Sequence, residues 1–391
     1  MGEKTVTWKE TLFSLLRYEI CGETLPDGLR QSLTPETTAR LYAFSSAHDL
    51  AHLVGDALQK NGLLTDDVAE KKKFLQQCFT AVYRFEQLQY ELEEISRLFE
   101  EEKILFVPLK GSVIRKYYPQ AWMRTSADVD IFVKEEDIER AKAALCEKLA
   151  YRFETKWKTE YSFYSESEMH IEIHTALCEE GDAFYDVLKD FPEGSLPVAG
   201  AEYQRGMSKE IYYFYHIAHM AKHLKHGGCG VRPFMDIYLL KKQVAYDEAT
   251  LTELLQKGGL WKFAQAAEAL SNVWMNNQPH TALTVSLEDF ILRGGVYGNT
   301  ENLVAMEQVQ KGGKFRRLLS MVFLPYDKLK IQYPTLEKRK WLFPFYQVRR
   351  WCRIVFKGGL KTAKRQAELN DAVSDKYVKD VASLLGELEL K

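Results

Sequence analysis

The sequence contains no Cys-x-x-Cys pair, and its six cysteines are widely separated along the 391 residues. Paired cysteines at short spacings are typical of zinc ribbons, and dense cysteine patterns are typical of small disulfide-stabilised secreted domains. The sequence has neither pattern. We therefore expect reduced thiols, at positions 21, 78, 146, 178, 229 and 352.

Long apolar runs are also missing. Nowhere do eighteen uncharged apolar residues follow one another, and the first ten residues carry acidic side chains instead of the apolar core of a signal peptide. The sequence therefore predicts a cytoplasmic chain without a transmembrane segment.

The sequence also lacks an excess of charge of either sign. Lysines and arginines number 53 and aspartates and glutamates 55, which gives a formal net charge of −2, and no long basic run occurs. Proteins that bind polynucleotides commonly carry a basic surface that neutralises phosphates. The composition therefore disfavours nucleic acid as a partner.

The order of sequence patterns predicts the architecture. Hydrophobic residues make up 46% of the chain, enough for a sizeable core. Helical periodicity gives way to alternating strand and helix patterns, and returns after a stretch rich in proline and glycine at 189–200. We predict an α+β protein with an N-terminal helical lobe over 1–102, an α/β core with a small mixed sheet over 103–200, and a C-terminal helical lobe over 201–391.

A glycine-serine turn follows the first strand of this core. The apolar run 104–109 predicts a buried strand, and Gly111 and Ser112 then begin a short helical stretch that ends near Tyr118. Free backbone N–H groups at the start of a helix bind anions. We therefore expect a triphosphate beside Gly111 and Ser112.

Two alternating strands then carry three carboxylates. Within 128–133, Asp128 and Asp130 fall on one face of a strand, and within 169–174, Glu172 falls on the polar face of another. Mg²⁺ prefers hard oxygen ligands and usually shares its site with substrate phosphates. The three carboxylates therefore predict a site for two Mg²⁺ or Mn²⁺ ions and in-line attack on a nucleotide phosphorus.

Two cationic residues accompany this cluster in the sequence. As phosphate ligands, Lys110 and Arg124 would neutralise triphosphate charge and stabilise the leaving pyrophosphate. The structural alternative for Lys110 is a stem on apolar surface with its ammonium in solvent. For Arg124 it is a salt bridge to a neighbouring carboxylate, and the sequence leaves both interpretations open.

Histidines suggest a second class of site. His170 and His174 share a strand face with Glu172, a set suited to zinc, although we favour a hydrogen bond from His174 to a carboxylate or to phosphate. A further cluster follows the spacing of one helix face. It comprises the histidines at positions 216, 219, 223 and 226. Because no acidic residue lies between the i, i+4 pair His219 and His223, we favour packing or substrate contact over metal binding.

The order of these motifs resembles the uncharacterised nucleotidyltransferases of the DNA polymerase beta-like superfamily. The similarity extends from the N-terminal helices to about Arg353. It rests on Leu109-Lys-Gly-Ser112, on Arg124 before Asp128-x-Asp130, on Glu172-Ile-His174, and on His219-x3-His223 followed by Arg232-x3-Asp236.

This resemblance implies a polymerase beta-like core that binds a nucleotide and two metals. In it, Asp128 and Asp130 would bind both metals, and Glu172 would supply the third carboxylate and orient or deprotonate the acceptor. The helices after the core would cover the nucleotide. Motifs and resemblance together give these nucleotide-binding candidates: Lys110, Gly111, Ser112, Arg124, His174, His223, Arg232 and Asp236.

These features predict a metal-dependent nucleotidyltransferase that moves a nucleoside monophosphate from an NTP to an acceptor hydroxyl and releases pyrophosphate. The modest charge fits a small molecule or a protein as the acceptor. The alternative is a catalytically weak NTP-binding or toxin–antitoxin-type interaction protein, against which the presence of all three carboxylates argues. A zinc hydrolase built on the histidines is the third interpretation.

Two later segments also have alternative interpretations. The glycine-rich stretch 293–298 is either a structural turn or a phosphate contact. The stretch 341–353 mixes aromatic residues with arginines, and we favour a packed helix with a basic edge over contact with a membrane surface, a nucleic acid or the acceptor.

Overall fold

The computed structural model describes residues 7–356 and 359–390. Helices surround one mixed five-stranded sheet, which confirms the predicted α+β architecture. The helices before the sheet are α1 Trp8–Cys21, α2 Leu29–Ser32, α3 Pro35–Ala47, α4 Ala51–Lys60 and α5 Lys71–Glu101.

Local signals explain where these first helices begin and end. The Thr7 side chain accepts from the N–H of Glu10, whose carboxylate accepts from the N–H of Thr7, so that α1 begins with a reciprocal cap. Gly22, with φ +73°, ends it. Asp49 adopts a φ of +56°, and the chain turns there between α3 and α4.

The sheet lies in the middle of the chain. Its strands are β1 Phe106–Pro108, β2 Asp128–Val133, β3 Arg152–Trp157, β4 Glu160–Tyr164 and β5 His170–His174. Their spatial order is β1-β2-β5-β4-β3. The β2–β5 pair is parallel and the other pairs are antiparallel.

Short elements connect these strands and follow them. They comprise α6 Gly111–Ile114, α7 Ile138–Lys148, α8 Tyr185–Leu188, a separate strand pair of β6 Leu196–Pro197 and β7 Arg205–Gly206, and single 3₁₀ turns at Arg115–Tyr117, Ala121–Met123 and Glu135–Asp137.

The alternation of β2 and β5 separates the two faces of the sheet. Val129, Ile131 and Ile173 are fully buried in an apolar cluster with residues of α5 and α7. Because neighbouring side chains of a strand point to opposite faces, Asp130 and Glu172 lie on the other face. The predicted orientation of these strands is confirmed.

Helices form the remainder of the described chain. They are α9 Lys209–Lys225, α10 Arg232–Gln243, α11 Glu248–Lys257, α12 Trp261–Asn276, α13 Ala282–Arg293, α14 Thr300–Lys311, α15 Lys314–Val322, α16 Tyr326–Gln332, α17 Thr335–Lys338, the 3₁₀ turn Lys340–Leu342, α18 Phe343–Phe356, α19 Gly359–Ala372 and α20 Asp375–Glu387.

One apolar core connects the helices that precede the sheet with those that follow it. Leu12 of α1, Leu53 of α4 and Leu270 of α12 belong to the same buried cluster. Within it, Phe13 stacks on Trp274 with ring centroids 4.9 Å apart. The division of the chain at residues 102 and 200 stays a prediction.

Two sequence expectations concern the cysteines and membrane-spanning helices. All six cysteines are free thiols. Among residues 7–356 and 359–390, every helix is either too short or too polar to cross a lipid bilayer.

A buried histidine makes the stability of this fold depend on pH. His48 is 0% exposed and stacks on Phe44, and burial lowers its pKa to about 4. Its stabilising effect is complete above the unfolded-state pKa and is lost as the pH falls through the range from about 6.5 to 4. When the pH is lowered from 7 to 5, the free energy of unfolding is expected to decrease in the unmodified chain. In His48→Gln this decrease should be smaller by about 2 kcal/mol.

Urea unfolding at both pH values measures this difference. His280→Gln, at a more exposed histidine, is the matched control and should keep the full pH dependence of the unmodified chain. Equal pH dependence in all three proteins would contradict the role of His48.

The glycine-rich stretch 293–298 is a structural turn. Gly298 has φ +73°, and a Cβ built on it would lie 2.0 Å from the carbonyl oxygen of Gly227. The Val296 N–H also donates to the Ala47 carbonyl at 3.0 Å. The turn therefore packs backbone against backbone on the loop that follows α9.

This close approach gives a second stability prediction. Gly298→Ala is expected to lower the free energy of unfolding by at least about 2 kcal/mol, because both the positive φ and the close contact disfavour a side chain. Gly200→Ala is the matched control, since Gly200 has φ +83° and a Cβ added there would meet no other atom within 4 Å. A similar loss of stability in both variants would contradict the importance of the contact with Gly227.

Candidate active site

The parallel pairing of β2 with β5 brings the predicted carboxylates together. Asp130 is the direct neighbour of Glu172 in the register, and Asp128 is the neighbour of His170. Side chains opposite each other in neighbouring strands lie close enough to interact. The three acidic residues therefore share one face of the sheet.

Asp130 lies at the centre of this group. It is 4% exposed, and its Oδ1 atom accepts from Lys110 Nζ at 2.7 Å and is hydrogen-bonded to His174 Nε2 at 2.7 Å. Burial alone would raise the pKa of Asp130, but the charges of Lys110 and His174 hold it well below its usual range. Asp130 is therefore ionised throughout the physiological pH range.

The other two carboxylates experience the opposite effect. Burial, together with the negative charge of Asp130, raises the pKa of Asp128 to about 7. The same two causes raise the pKa of Glu172. Three carboxylates so close together repel one another unless cations lie between them.

The donor atoms are close enough for metal ions. The ligand atoms of Asp130, Glu172 and His174 lie within 4.8 Å of one another, and so do those of Asp128, His170 and Glu172. Both sets contain Glu172, and the mutual repulsion of the carboxylates is the electrostatic condition that a divalent cation relieves. The residues present therefore fit a divalent metal.

Lys110 is held in an unusual backbone conformation. Its φ is +45°, and its carbonyl accepts from the Tyr212 hydroxyl at 3.0 Å. Burial would lower the pKa of Lys110, but Asp130 raises it well above its usual range. The ammonium therefore stays charged, and the alternative of a lysine that simply reaches solvent is wrong.

The glycine-serine turn differs from its predicted form. The N–H groups of Ser112 and Val113 already donate to the carbonyls of Leu109 and Lys110, because the turn is tight. They are not free for an anion as expected. Gly111 lines a large cavity over the carboxylate face of the sheet, whereas Ser112 does not.

A large cavity covers this face of the sheet. It has a volume of about 1440 Å³, which exceeds that of typical small-molecule sites. Around the carboxylates, its walls are formed by side chains from the loop before β2 and from α9 and α10, including Thr125, Ser126, His219, His223 and Arg232.

Comparison with known proteins identifies the family. Residues 34–276, more than half of the chain, match the family described as uncharacterised nucleotidyltransferase. The chain belongs to this family. The matched range contains every predicted site residue, from Lys110 to Asp236. Neither a curated protein nor a solved structure matches the chain.

Membership in a nucleotidyltransferase family indicates a transferase with an NTP substrate. The acidic cluster of this family member is a possible metal site.

Arg124 lines the cavity of this nucleotidyltransferase-family chain and binds Asp236, which lies outside the lining. Arg124 Nε and Nη2 each donate to a different oxygen of the Asp236 carboxylate at 2.8 Å, and Tyr118 donates to the same carboxylate at 2.7 Å. Asp236 is 0% exposed. A direct contact of Asp236 with a nucleotide is therefore not supported, and the salt-bridge interpretation of Arg124 is the one observed.

Arg232 lies nearer the cavity. Its Nη1 atom donates to Thr125 Oγ1 at 2.9 Å and pairs with Asp49, which also accepts from the Thr125 hydroxyl at 2.7 Å. Burial and then the neighbouring charge of Arg124 lower the pKa of Arg232. Sequence reasoning missed Asp49 and Thr125, because neither belongs to a recognisable motif.

The histidines of α9 form a neutral wall. His219 and His223 are hydrogen-bonded through their Nε2 atoms at 3.0 Å, and burial lowers the pKa of both, to about 4 for His223. His216 is hydrogen-bonded to the Pro233 carbonyl at 3.1 Å. In the described ranges, no candidate metal group includes a histidine of this helix. Packing or substrate contact is the interpretation that the geometry favours.

Proposed function

We propose that the protein is a metal-dependent nucleotidyltransferase that moves a nucleoside monophosphate from an NTP to an acceptor hydroxyl. The observation that carries this proposal is the meeting of Asp128, Asp130 and Glu172 on one sheet face, beside a partly buried lysine and under a large cavity. Membership in the nucleotidyltransferase family supports the reaction class.

The carboxylates would hold the metal. Asp128, Asp130 and Glu172 supply the hard oxygen ligands that Mg²⁺ or Mn²⁺ prefers. When bound, the ions would neutralise phosphate charge and make the acceptor hydroxyl more acidic. His174 orients Asp130 through its hydrogen bond, so that the carboxylate keeps one position relative to β5.

Cationic side chains would bind the triphosphate. Lys110 is charged, its Nζ atom lies 2.7 Å from Asp130 Oδ1, and it would neutralise phosphate charge of a nucleotide held at these carboxylates. Arg232 lines the same cavity from α10, and His223 lines it from α9. Arg124 acts indirectly, because its pairing with Asp236 fixes the loop that leads into β2.

The proposed transfer forms one bond to phosphorus and breaks another. The acceptor oxygen attacks the α-phosphorus, the bond from that phosphorus to the bridging oxygen breaks, and pyrophosphate leaves. Glu172, the neighbour of Asp130 in the sheet, would orient the acceptor hydroxyl or accept its proton. The proposed acceptor is a small molecule or a protein. The proposed compartment is the cytoplasm, which the scattered free cysteines fit.

Calorimetric titration of each of the four common NTPs tests this proposal, with Mg²⁺ or Mn²⁺ present. The unmodified chain is expected to bind at least one NTP only with metal, and Asp128→Asn is expected to lose that binding. Glu154→Gln, at an exposed carboxylate of β3, is the matched control and should bind normally.

Two results would contradict the proposal. NTP binding that is independent of metal and unchanged in Asp128→Asn would place the nucleotide elsewhere. Absence of binding of any NTP to the unmodified chain, with either metal present, would favour the interaction protein instead.

A further inference from the structure

Helix α18 directs polar side chains toward the protein and apolar side chains toward solvent, which is the opposite of an ordinary packed helix. Gln347 is buried and donates to the Leu324 carbonyl, and Arg350 Nη2 donates to the Met321 carbonyl at 2.7 Å. The outward side is apolar. Its exposed fractions are 58% for Phe345, 50% for Val348 and 49% for Val355.

Helix α15 shows the same inversion. Arg317 is 2% exposed and donates through Nε to Glu307 at 2.7 Å. The exposed positions follow at i, i+4 and i+7, the spacing of one helix face. They are Phe315 at 72%, Leu319 at 40% and Val322 at 47%.

The two helices are in contact through the end of α15 and the middle of α18. Phe323, just after α15, packs edge-on against Trp351 of α18, with ring centroids 5.3 Å apart. The Trp351 indole N–H donates to the Val322 carbonyl at 2.7 Å. We call the outward residues of the pair the apolar stripe: Phe315, Leu319, Val322, Phe345, Val348 and Val355.

Charge distinguishes this region from the rest of the chain. Residues 314–356 contain eleven lysines and arginines against two acidic residues, a net charge of +9 in a chain whose total is −2. On α18, Arg349 and Arg353 are exposed and lie beside the stripe. An exposed apolar face flanked by cationic residues is the pattern of a helix that lies in the interface of a membrane.

We propose that the apolar stripe and its basic flanks dock on the surface of an anionic lipid bilayer. The four aliphatic members of the stripe gain free energy only by leaving water, which the acyl boundary of a bilayer allows. The basic flanks are attracted by acidic headgroups. This proposal goes beyond the nucleotidyl transfer and does not depend on it.

The other occupants fit these features less well. Single-stranded nucleic acid is bound mainly by stacking on rings and guanidinium groups, which leaves exposed aliphatic side chains unexplained. A second copy docked by the same surface would bring two regions of like charge together. The expectation of an ordinary packed helix over 341–353 is wrong, because the apolar side chains of its outward face are exposed.

Cosedimentation of the full chain with vesicles tests the proposal. One vesicle preparation is pure phosphatidylcholine, and the other contains about 30% phosphatidylglycerol. We expect binding to the acidic vesicles at least about tenfold tighter than to the neutral ones, and weaker binding at high salt. Phe345→Ser/Val348→Ser and Arg349→Glu/Arg353→Glu are each expected to weaken binding to acidic vesicles by at least about tenfold.

Matched controls change the same chemistry elsewhere on the surface. Phe79→Ser/Tyr83→Ser removes two exposed aromatic residues of α5, and Lys257→Glu/Lys262→Glu reverses two exposed charges of α11 and α12. Both should bind acidic vesicles like the unmodified chain. The proposal is overturned if acidic vesicles do not bind, if the stripe variants bind normally, or if oligothymidylate binds more tightly than acidic vesicles at equal salt.

Discussion

Replacing Asp130 by asparagine is expected to lower metal-dependent NTP cleavage at least about a thousandfold. Asp130 is the neighbour of Glu172 in the sheet and the acceptor for both Lys110 and His174. The amide removes the negative charge that a metal and the Lys110 ammonium both need. Quenched time courses of pyrophosphate release measure the effect.

A fold-retention control makes this result interpretable. Glu154→Gln makes the same chemical change at an exposed position of β3 and should keep full activity. Thermal unfolding should show that Asp130→Asn is still folded, and Mn²⁺ titration should show weaker metal binding. If Asp130→Asn kept more than about a tenth of the activity, Asp130 would not be a metal ligand of the reaction.

Removing the carboxylate of Asp236 is expected to cost about 3–5 kcal/mol of unfolding free energy. In Asp236→Ala, the buried Arg124 guanidinium loses a partner on two of its nitrogens, and the Tyr118 hydroxyl loses its acceptor. An uncompensated buried cation is among the most destabilising defects in a protein. Urea unfolding followed by tryptophan fluorescence measures the loss.

A surface ion pair supplies the comparison. Asp186→Ala breaks the exposed pair between Asp186 of α8 and Lys189, which follows α8, and should change stability little, because solvent already screens the two charges. A loss of less than about 1 kcal/mol in Asp236→Ala would mean that Arg124 finds another partner, which would contradict its role as the fixed support of the loop before β2.

Local patterns predicted the strands of the candidate site well. The alternation of Asp128 and Asp130 with Val129 and Ile131 determines which face each side chain occupies, because side chains on a strand alternate strictly. The same argument placed Glu172 correctly on its strand. The family resemblance then linked the two strands to one chemistry.

Such local patterns do not predict contacts between residues that are far apart in the sequence. Arg124 and Asp236 are separated by 112 positions, so only the folded chain shows that they bind each other. The pairing of Thr125 with Asp49 is similar. The tight turn at Gly111 and Ser112 was also misjudged, since its hydrogen bonds depend on backbone angles that residue types alone do not determine.

The apolar stripe shows a different limit. Periodicity on α15 and α18 identifies an apolar face, but it does not say whether that face meets the protein or the solvent. The buried position of Arg317, 2% exposed and paired with Glu307, decides the question. Helix amphipathicity predicts the helix, whereas its neighbours determine the orientation.

The most direct test of nucleotidyl transfer is the site of cleavage in the NTP. The unmodified chain would be incubated with Mn²⁺ and each of the four common NTPs, with water in place of the acceptor hydroxyl, and the products separated by ion-exchange chromatography. Attack at the α-phosphorus gives a nucleoside monophosphate and pyrophosphate, and we expect these products from at least one NTP and their absence with Asp130→Asn. A nucleoside diphosphate and inorganic phosphate as the products would show attack at the γ-phosphorus and would contradict the account.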